Sequence, residues 1–502
     1  MNQIARTFVL IGLVVIVLLA LHFLPKISIG ETSLRQVNVL SDLLLELQED
    51  DLDAIPEIPD VPQPVLAQNI VRTDTIGIQP SNNKKVEDVS LAPMPMPEKT
   101  DTADGMALAP KALSDSIDSS VTPILDYSQG RTGGMYHFYQ MLSRSRQLGR
   151  PVRVAYYGDS FIEGDIFTAD LRELLQAQFG GSGVGWVDCA SQVNGFRQSV
   201  AHTYSGINEY EVVKHPFSAV NQGIAQRYFT ASDGARISYK GRRSRRHQSQ
   251  WDRAIFYLRS DGGLLLKTIL NGDTTVMDTV YGSQNLQAIV RTAGYDPKDS
   301  LQRARSMNSI SYTVSNISGG TLLYGVALEP VAGVVVDNFS MRGSAGSTLA
   351  QIPTATLAQF AAQRPYDLIV VHYGLNVANS KQGNYSGYTK SMGQAIEHLR
   401  QAYPQTSILV VSMPDRDQRT DNGLHTMKGV EALVAYQQIM ASEHGVCFFN
   451  LFQAMGGRES MKTLVDRGLA NKDYTHINFA GGKYLAKLLF DSMMAGYHSY
   501  GF

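Results

Sequence analysis

A parallel α/β sheet interrupted by an inserted all-β domain is the architecture this sequence predicts, on three observations. Short apolar runs, each adjoining a helix-like pattern, stand on either side of a central region. That central region carries short alternating strands separated by turn residues. An aromatic-free, proline-rich segment divides all of this from an apolar amino terminus.

Phe8 to Leu24 is uninterrupted apolar sequence apart from His22, bounded by Arg6 and Pro25-Lys26. It is about long enough to cross a bilayer as a helix. His22-Phe23-Leu24-Pro25-Lys26 contains no small-x-small cleavage site, so residues 1–25 are expected to be an uncleaved transmembrane helix. The short amino-terminal tail places the remainder outside the cytoplasm. Nine of the chain's 19 prolines fall between Pro56 and Pro110, and no Phe, Tyr or Trp occurs from Leu24 to Asp126. Such a segment buries too little apolar surface to offset its conformational entropy. Residues 26–125 are therefore expected to be a disordered tether, with Ser41 to Leu52 as its one short amphipathic helix.

Tyr127 restores aromatic content, and Met135 to Leu148 has helical spacing. Val152 to Tyr157 reads as a strand, followed by the turn Gly158-Asp159-Ser160 and a helix over Thr168 to Phe179. Comparable strands are expected at Asp367 to Tyr373, Ser407 to Ser412 and Val446 to Leu451. Helices are expected at Ser391 to Ala402, Gly429 to Ser442 and Phe479 to Ala495. The alternation predicts three layers, a parallel sheet with helices on both faces. Between them the pattern changes to short alternating runs at 235–239, 254–258, 264–269, 274–280, 309–314 and 321–328, separated by clusters such as Ser260-Asp-Gly-Gly263. An antiparallel sandwich over 198–334 follows, splitting the α/β domain into 126–197 and 335–502.

The near balance of 44 Lys+Arg against 46 Asp+Glu gives no sign of a nucleic-acid partner. The two cysteines, Cys189 and Cys447, have no zinc-site spacing, so no metal or cofactor is expected. Cys447, inside Val446-Cys-Phe-Phe449, reads as a buried small hydrophobe. His372, inside a strand, reads as a core histidine. The run Lys240 to His247 is either a solvated loop or a surface for an acidic glycan.

Ser160 ends a strand on a glycine-bearing turn before a helix, which lifts its hydroxyl clear of the sheet. A serine nucleophile needs a base held in the right tautomer by an acid. Asp473-Tyr474-Thr475-His476 supplies both, close enough for the carboxylate to fold back onto His476 Nδ1 and leave Nε2 for the serine.

These residues resemble the SGNH, or GDSL-like, hydrolases. Gly158-Asp159-Ser160-Phe161 matches the first block, with Phe where Leu is commoner. Asp473, His476, Asn478, Gly481 and Gly482 match the last. Gly374-Leu375-Asn376 is similar to the third block, which holds an oxyanion-binding asparagine, although Val377 replaces the acidic residue often found next. The second block's glycine is best matched by Gly346, with Gly343 as the competing choice. The resemblance, over roughly 150–190 and 335–495, implies a three-layer, flavodoxin-like SGNH-hydrolase domain. It also implies catalytic Ser160, His476 and Asp473, with an oxyanion hole formed by Ser160, Gly346 and Asn376. Peptidoglycan O-acetylesterases of that family carry a carbohydrate-binding-like β domain inserted at a similar place. The implied activity is a serine esterase removing O-acetyl groups from a cell-envelope or other polysaccharide. The expected partner is an acylated carbohydrate polymer, and the expected location is a bacterial inner membrane with the catalytic part in the periplasm. An O-acyltransferase acting on an envelope polymer and a non-catalytic glycan-binding protein are the competing readings.

Overall fold

The computed structural model describes residues 28–29, 32–33, 121–130, 132–294 and 306–502. The expected membrane segment Phe8 to Leu24, the helix Ser41 to Leu52 and most of the tether lie outside them. Among the described residues no helix is long and apolar enough to cross a membrane. The chain divides into two compact units, Met1–Ile55 and Pro56–Phe502. In the first, Ser28–Ile29 and Thr32–Ser33 form a short antiparallel pair.

The second unit begins with β1 (Ile124–Asp126), α1 (Tyr136–Ser143), β2 (Val152–Gly158) and α2 (Thr168–Phe179). A β-rich stretch follows: β3 (Gly185–Val187), β4 (Val200–Glu211), β5 (Arg227–Gly241), β6 (Arg253–Leu270), β7 (Thr274–Thr292), β8 (Ser309–Ser315) and β9 (Thr321–Glu329). Then come β10 (Val334–Ser340), α3 (Thr354–Gln363), β11 (Leu368–His372), α4 (Ser386–Ala402) and β12 (Ser407–Val411). The chain closes with the hairpin β13 (Asp417–Thr420) and β14 (Gly423–Thr426), α5 (Gly429–Glu443), β15 (Cys447–Phe449), α6 (Leu451–Ala454), α7 (Ser460–Asp466) and α8 (Phe479–Ser499).

Among the described residues the first sheet has six strands in the order β10-β2-β11-β12-β15-β1. All pairs are parallel except β15 with β1. Every residue of β2, β11 and β12 is buried, because helices cover both faces: α2 packs on α8, and α4 on α3 and α5. The antiparallel edge β1 begins inside the expected tether, where three residues are too few to show a pattern. Asp126 anchors it by accepting Tyr500 Oη at 3.0 Å.

The β-rich stretch forms one seven-stranded sheet, antiparallel throughout, rather than two separate layers. The pairings β9–β5, β5–β8, β8–β6 and β6–β9 close a ring around Phe229, Ile237, Phe256, Leu266 and Tyr312. The runs 254–258 and 264–269 belong to the single strand β6, because Ser260-Asp-Gly-Gly263 is a bulge within the ladder rather than a turn. The sheet also recruits β3, which precedes residue 198, while β10 leaves it at Val334 to join the parallel sheet. Cys189 and Cys447 are buried in the two separate cores and unpaired.

Glu329, at the end of β9, lies wholly buried between the sheets. Its carboxylate accepts Arg153 Nε at 3.0 Å and Nη2 at 2.7 Å, Arg364 Nη1 at 2.7 Å and Arg253 Nη2 at 2.9 Å. Arg364 turns its other nitrogens to Asp337, which also accepts Tyr366 Oη at 2.6 Å and Trp186 N–H at 2.8 Å. Burial raises the Glu329 carboxyl, but Arg153 and Arg364 outweigh it and hold the group at about 2. Its contribution to stability is thus present above the ordinary carboxylate value of 4.5 and lost as pH falls towards 2. Glu329→Ala, which strands buried arginines, should cost about 3–5 kcal/mol in a urea titration at pH 7. The penalty should shrink between pH 5 and 3; one that holds constant over that range removes the cluster from the account of acid stability.

Candidate active site

β10, β2 and β11 are neighbours, and their carboxyl ends lie level: Gly158 is in register with both Ser340 and His372. The three loops that follow therefore emerge side by side at one edge, where open α/β sheets bind ligands. They carry Ser160, the segment Gly343 to Gly346, and Gly374 to Asn376.

After β2 the chain enters a one-turn 3-10 helix capped by Asp159, whose Oδ1 accepts Phe161 N–H at 3.0 Å. Asp159 is buried. Burial pushes its carboxyl up to about 6, although the backbone N–H groups of Phe161, Leu375 and Gly374 pull the other way. Its Oδ1 is bonded within the Ser160 turn, and the backbone of the Gly374 loop lies near enough to lower the group.

His476 comes from the far end of the chain. Its Nε2 lies 3.1 Å from Ser160 Oγ, and its Nδ1 lies 2.8 Å from Asp473 Oδ2. Asp473 Oδ1 accepts the N–H groups of Thr475 and His476, each at 3.0 Å, so the carboxylate is aimed by its own turn. Burial raises Asp473, yet these hydrogen bonds prevail and hold it at about 2. Asn478 then caps α8 by accepting Gly481 N–H at 3.0 Å. Gly482 packs against the Ile166 carbonyl with no room for a side chain, which sets the start of α8 against the end of the Ser160 turn. Serine, imidazole and carboxylate form one continuous hydrogen-bonded relay.

Gly346 is buried at φ 87°, and a Cβ there would meet the Tyr373 ring at 2.6 Å. Gly343 also has positive φ, but it is exposed, and a Cβ there would meet nothing within 4 Å. Gly346 N–H donates to Ser344 Oγ at 3.0 Å, and Asn376 Nδ2 donates to the Ser344 carbonyl at 3.0 Å. Ser344 thus joins both expected oxyanion donors. The β insert braces the same segment: Arg227 Nη2 donates to the Ser340 carbonyl at 3.0 Å, and Thr348 Oγ1 to Gln226 Oε1 at 2.7 Å.

His372 is buried, 3.0 Å through Nδ1 from Tyr156 Oη, and burial lowers it to about 3. It belongs to the core. The basic run is partly an internal clasp, with Arg245 on Asp170 of α2 at 2.5 Å and His247 on Glu173 at 2.8 Å. The sequence marked Asp159 only as a member of the first block, and marked neither Ser344 nor Arg416. Arg416 donates to the Leu375 carbonyl at 3.4 Å and feels the charge of Asp473. No local pattern marks Ser344 or Arg416, because their partners come from other loops. Among the described residues, no His, Cys, Asp or Glu cluster is assembled that could hold a metal ion.

Gly346→Ala should lower activity on any ester the protein cleaves far more than Gly343→Ala, since only the first displaces Tyr373; similar effects of the two would reverse the preference. Asp159 carries the opposite pH signature to Glu329. Its raised value favours the fold below about 3.8, and that advantage is lost as pH climbs to about 6. The stability of Asp159→Asn relative to wild type should rise between pH 4 and 6 in thermal melts, and a flat difference would contradict the burial of this acid.

No family profile matches the chain, and no curated protein matches it. Among solved structures, one described as "Peptidoglycan O-acetylesterase in action, 5 min" aligns with a TM-score of 0.59 at 18% identity, covering 75% of this chain and 99% of that one. A lipase/acylhydrolase from Enterococcus faecalis aligns at TM-score 0.24 and 16% identity, over 33% of this chain and 77% of its own. An active-site mutant of a family two carbohydrate esterase from Clostridium thermocellum aligns at TM-score 0.24 and 10% identity, over 57% and 96%. At such identities the likeness is one of fold, and the first of these structures carries it: the chain shares that structure's fold, with a β-rich stretch set between the parallel strands.

Proposed function

We propose that this protein is a serine esterase that removes O-acetyl groups from a polysaccharide, with Ser160 as nucleophile, His476 as base and Asp473 as its orienting acid. The reading rests above all on the relay of 3.1 Å and 2.8 Å linking Ser160, His476 and Asp473. The fold it shares with a peptidoglycan O-acetylesterase supports the same reaction class. That likeness favours a cell-envelope glycan over another polysaccharide as the polymer. The apolar run Phe8 to Leu24 would tether the enzyme to the membrane, with the catalytic unit on the periplasmic side.

In this mechanism His476 Nε2 takes the Ser160 proton as Oγ attacks the acetyl carbonyl. The carbonyl oxygen becomes an oxyanion, held by Ser160 N–H, Gly346 N–H and Asn376 Nδ2. Gly346 N–H, which donates to Ser344 Oγ in the free protein, would be released for this duty by a change of the Ser344 side-chain rotamer. Collapse expels the sugar hydroxyl, protonated by His476, and leaves acetyl-Ser160. Water then attacks with His476 again as base, giving acetate and free serine. Asp473, ionised down to about pH 2, stabilises the imidazolium in both halves.

Ser160→Ala should abolish acetate release from p-nitrophenyl acetate and from acetylated peptidoglycan. Asp473→Asn should lower kcat on the order of 10³–10⁴-fold, and Asn376→Ala about 10²–10³-fold with KM little changed. Full turnover in the Ser160 variant would remove the mechanism. Acetate appearing only on an added glycan acceptor, and not in water, would make the enzyme a transferase.

A further inference from the structure

A cavity of about 420 Å³ opens between the turn that follows Ser160 and the β insert, within the size range of small-ligand sites. Its walls come from Glu163 and Asp165 of that turn, from the segment 188–197, from β4 and β5, and from Ser340 at the end of β10 and Arg342 beyond it. The Phe196 ring lies tilted against that of Phe479, the first residue of α8, with centroids 4.9 Å apart, and fills the space where a side chain on Gly164 would go.

We infer that this cavity is a subsite for an uncharged, hydroxyl-rich sugar residue, the neighbour along the chain of the residue whose ester is cleaved at Ser160. The inference rests on the esterase reading for its place in the reaction, though binding itself does not depend on that reading. Three observations carry it. The lining holds five carboxylates against four Lys and Arg side chains, which disfavours a phosphate or polyanion. Its larger apolar members are only Trp186, Val187 and Val193, too few for an acyl chain. Most of the charges are already matched: Asp188 with Arg227, Glu163 with Arg342, Asp165 with Arg197 and Glu211 with Lys214.

Two groups remain with unused capacity. Among the described residues Glu209 has one ion-pair partner, Arg227 at 3.6 Å, and Arg227 Nε is buried with no hydrogen-bond partner. An acceptor and a donor side by side suit a sugar ring, whose hydroxyls both donate and accept. Burial, with Asp188 and Glu211 beside it, pushes the Glu209 carboxyl up to about 7 against the pull of Arg227, so near neutrality this group offers a donor as well as acceptors.

The test is calorimetric titration of the full chain with xylotetraose, chitotetraose and tetragalacturonate. Saturable binding of a neutral tetraose is expected, weakened about tenfold by Glu209→Gln and blocked by Gln192→Trp, which grows an exposed lining side chain into the cavity. In parallel, the ratio of kcat/KM on an acetylated oligosaccharide to that on p-nitrophenyl acetate should fall about tenfold in Glu209→Gln; because it is a ratio, partial loss of folded protein cancels. No saturable binding of either neutral tetraose, binding untouched by both substitutions, or tighter binding of tetragalacturonate would overturn the subsite. Neutral-sugar binding that both substitutions weaken, in a protein that releases no acetate from any ester, would sink the esterase reading and leave the subsite standing.

Discussion

Arg153, Glu329, Asp337, Arg364 and Tyr366 meet, almost without access to water, where the antiparallel sheet leans on the parallel one. Taking two acids and two arginines out of water costs several kcal/mol per ion unless each finds partners in good geometry. Here every carboxylate oxygen accepts at least one hydrogen bond. Such a cluster tolerates little sliding, because a shift of one residue in β9 or β10 would strand a charge. It therefore sets how β9 hands over to β10, and with that the height at which the Gly346 loop leaves the sheet.

That height matters because the site is built from loops that are distant in sequence. Ser340, Gly158 and His372 end their strands in one row, so the turn of Ser160, the Ser344–Gly346 segment and Asn376 face each other without long excursions. Ser344 ties the second to the third, and Arg227 with Gln226 props the second from the insert. The insert is thus part of the scaffold that shapes the site. Its own ring of strands explains how so long an interruption of the α/β chain can be rigid enough to do this.

The strands β2, β11 and β12 were legible as continuous apolar runs, since burial on both faces removes alternation. Helices α2 and α5 matched their expected extents to within a residue at either end. The reading failed where glycine and serine clusters serve a strand instead of ending it. β6 and β7 run through Gly262-Gly263 and Gly282 as bulged ladders, and β4 went unrecognised because its burial pattern is irregular. β1 and β3 each have three residues, below the length at which periodicity has meaning.

Ser160, Asp473 and His476 could be named from the linear chain because each sits in a short motif whose spacing already sets its local geometry: a strand-to-helix turn in one case, a carboxylate three residues before an imidazole in the other. The order of strands, the packing of Gly346 against Tyr373, the clasp of Arg245 on Asp170 and the buried partners of Glu329 have no such local trace. They depend on which side chains meet across intervals of tens to hundreds of residues, and burial and hydrogen-bond geometry act on atoms only once the chain has brought them together.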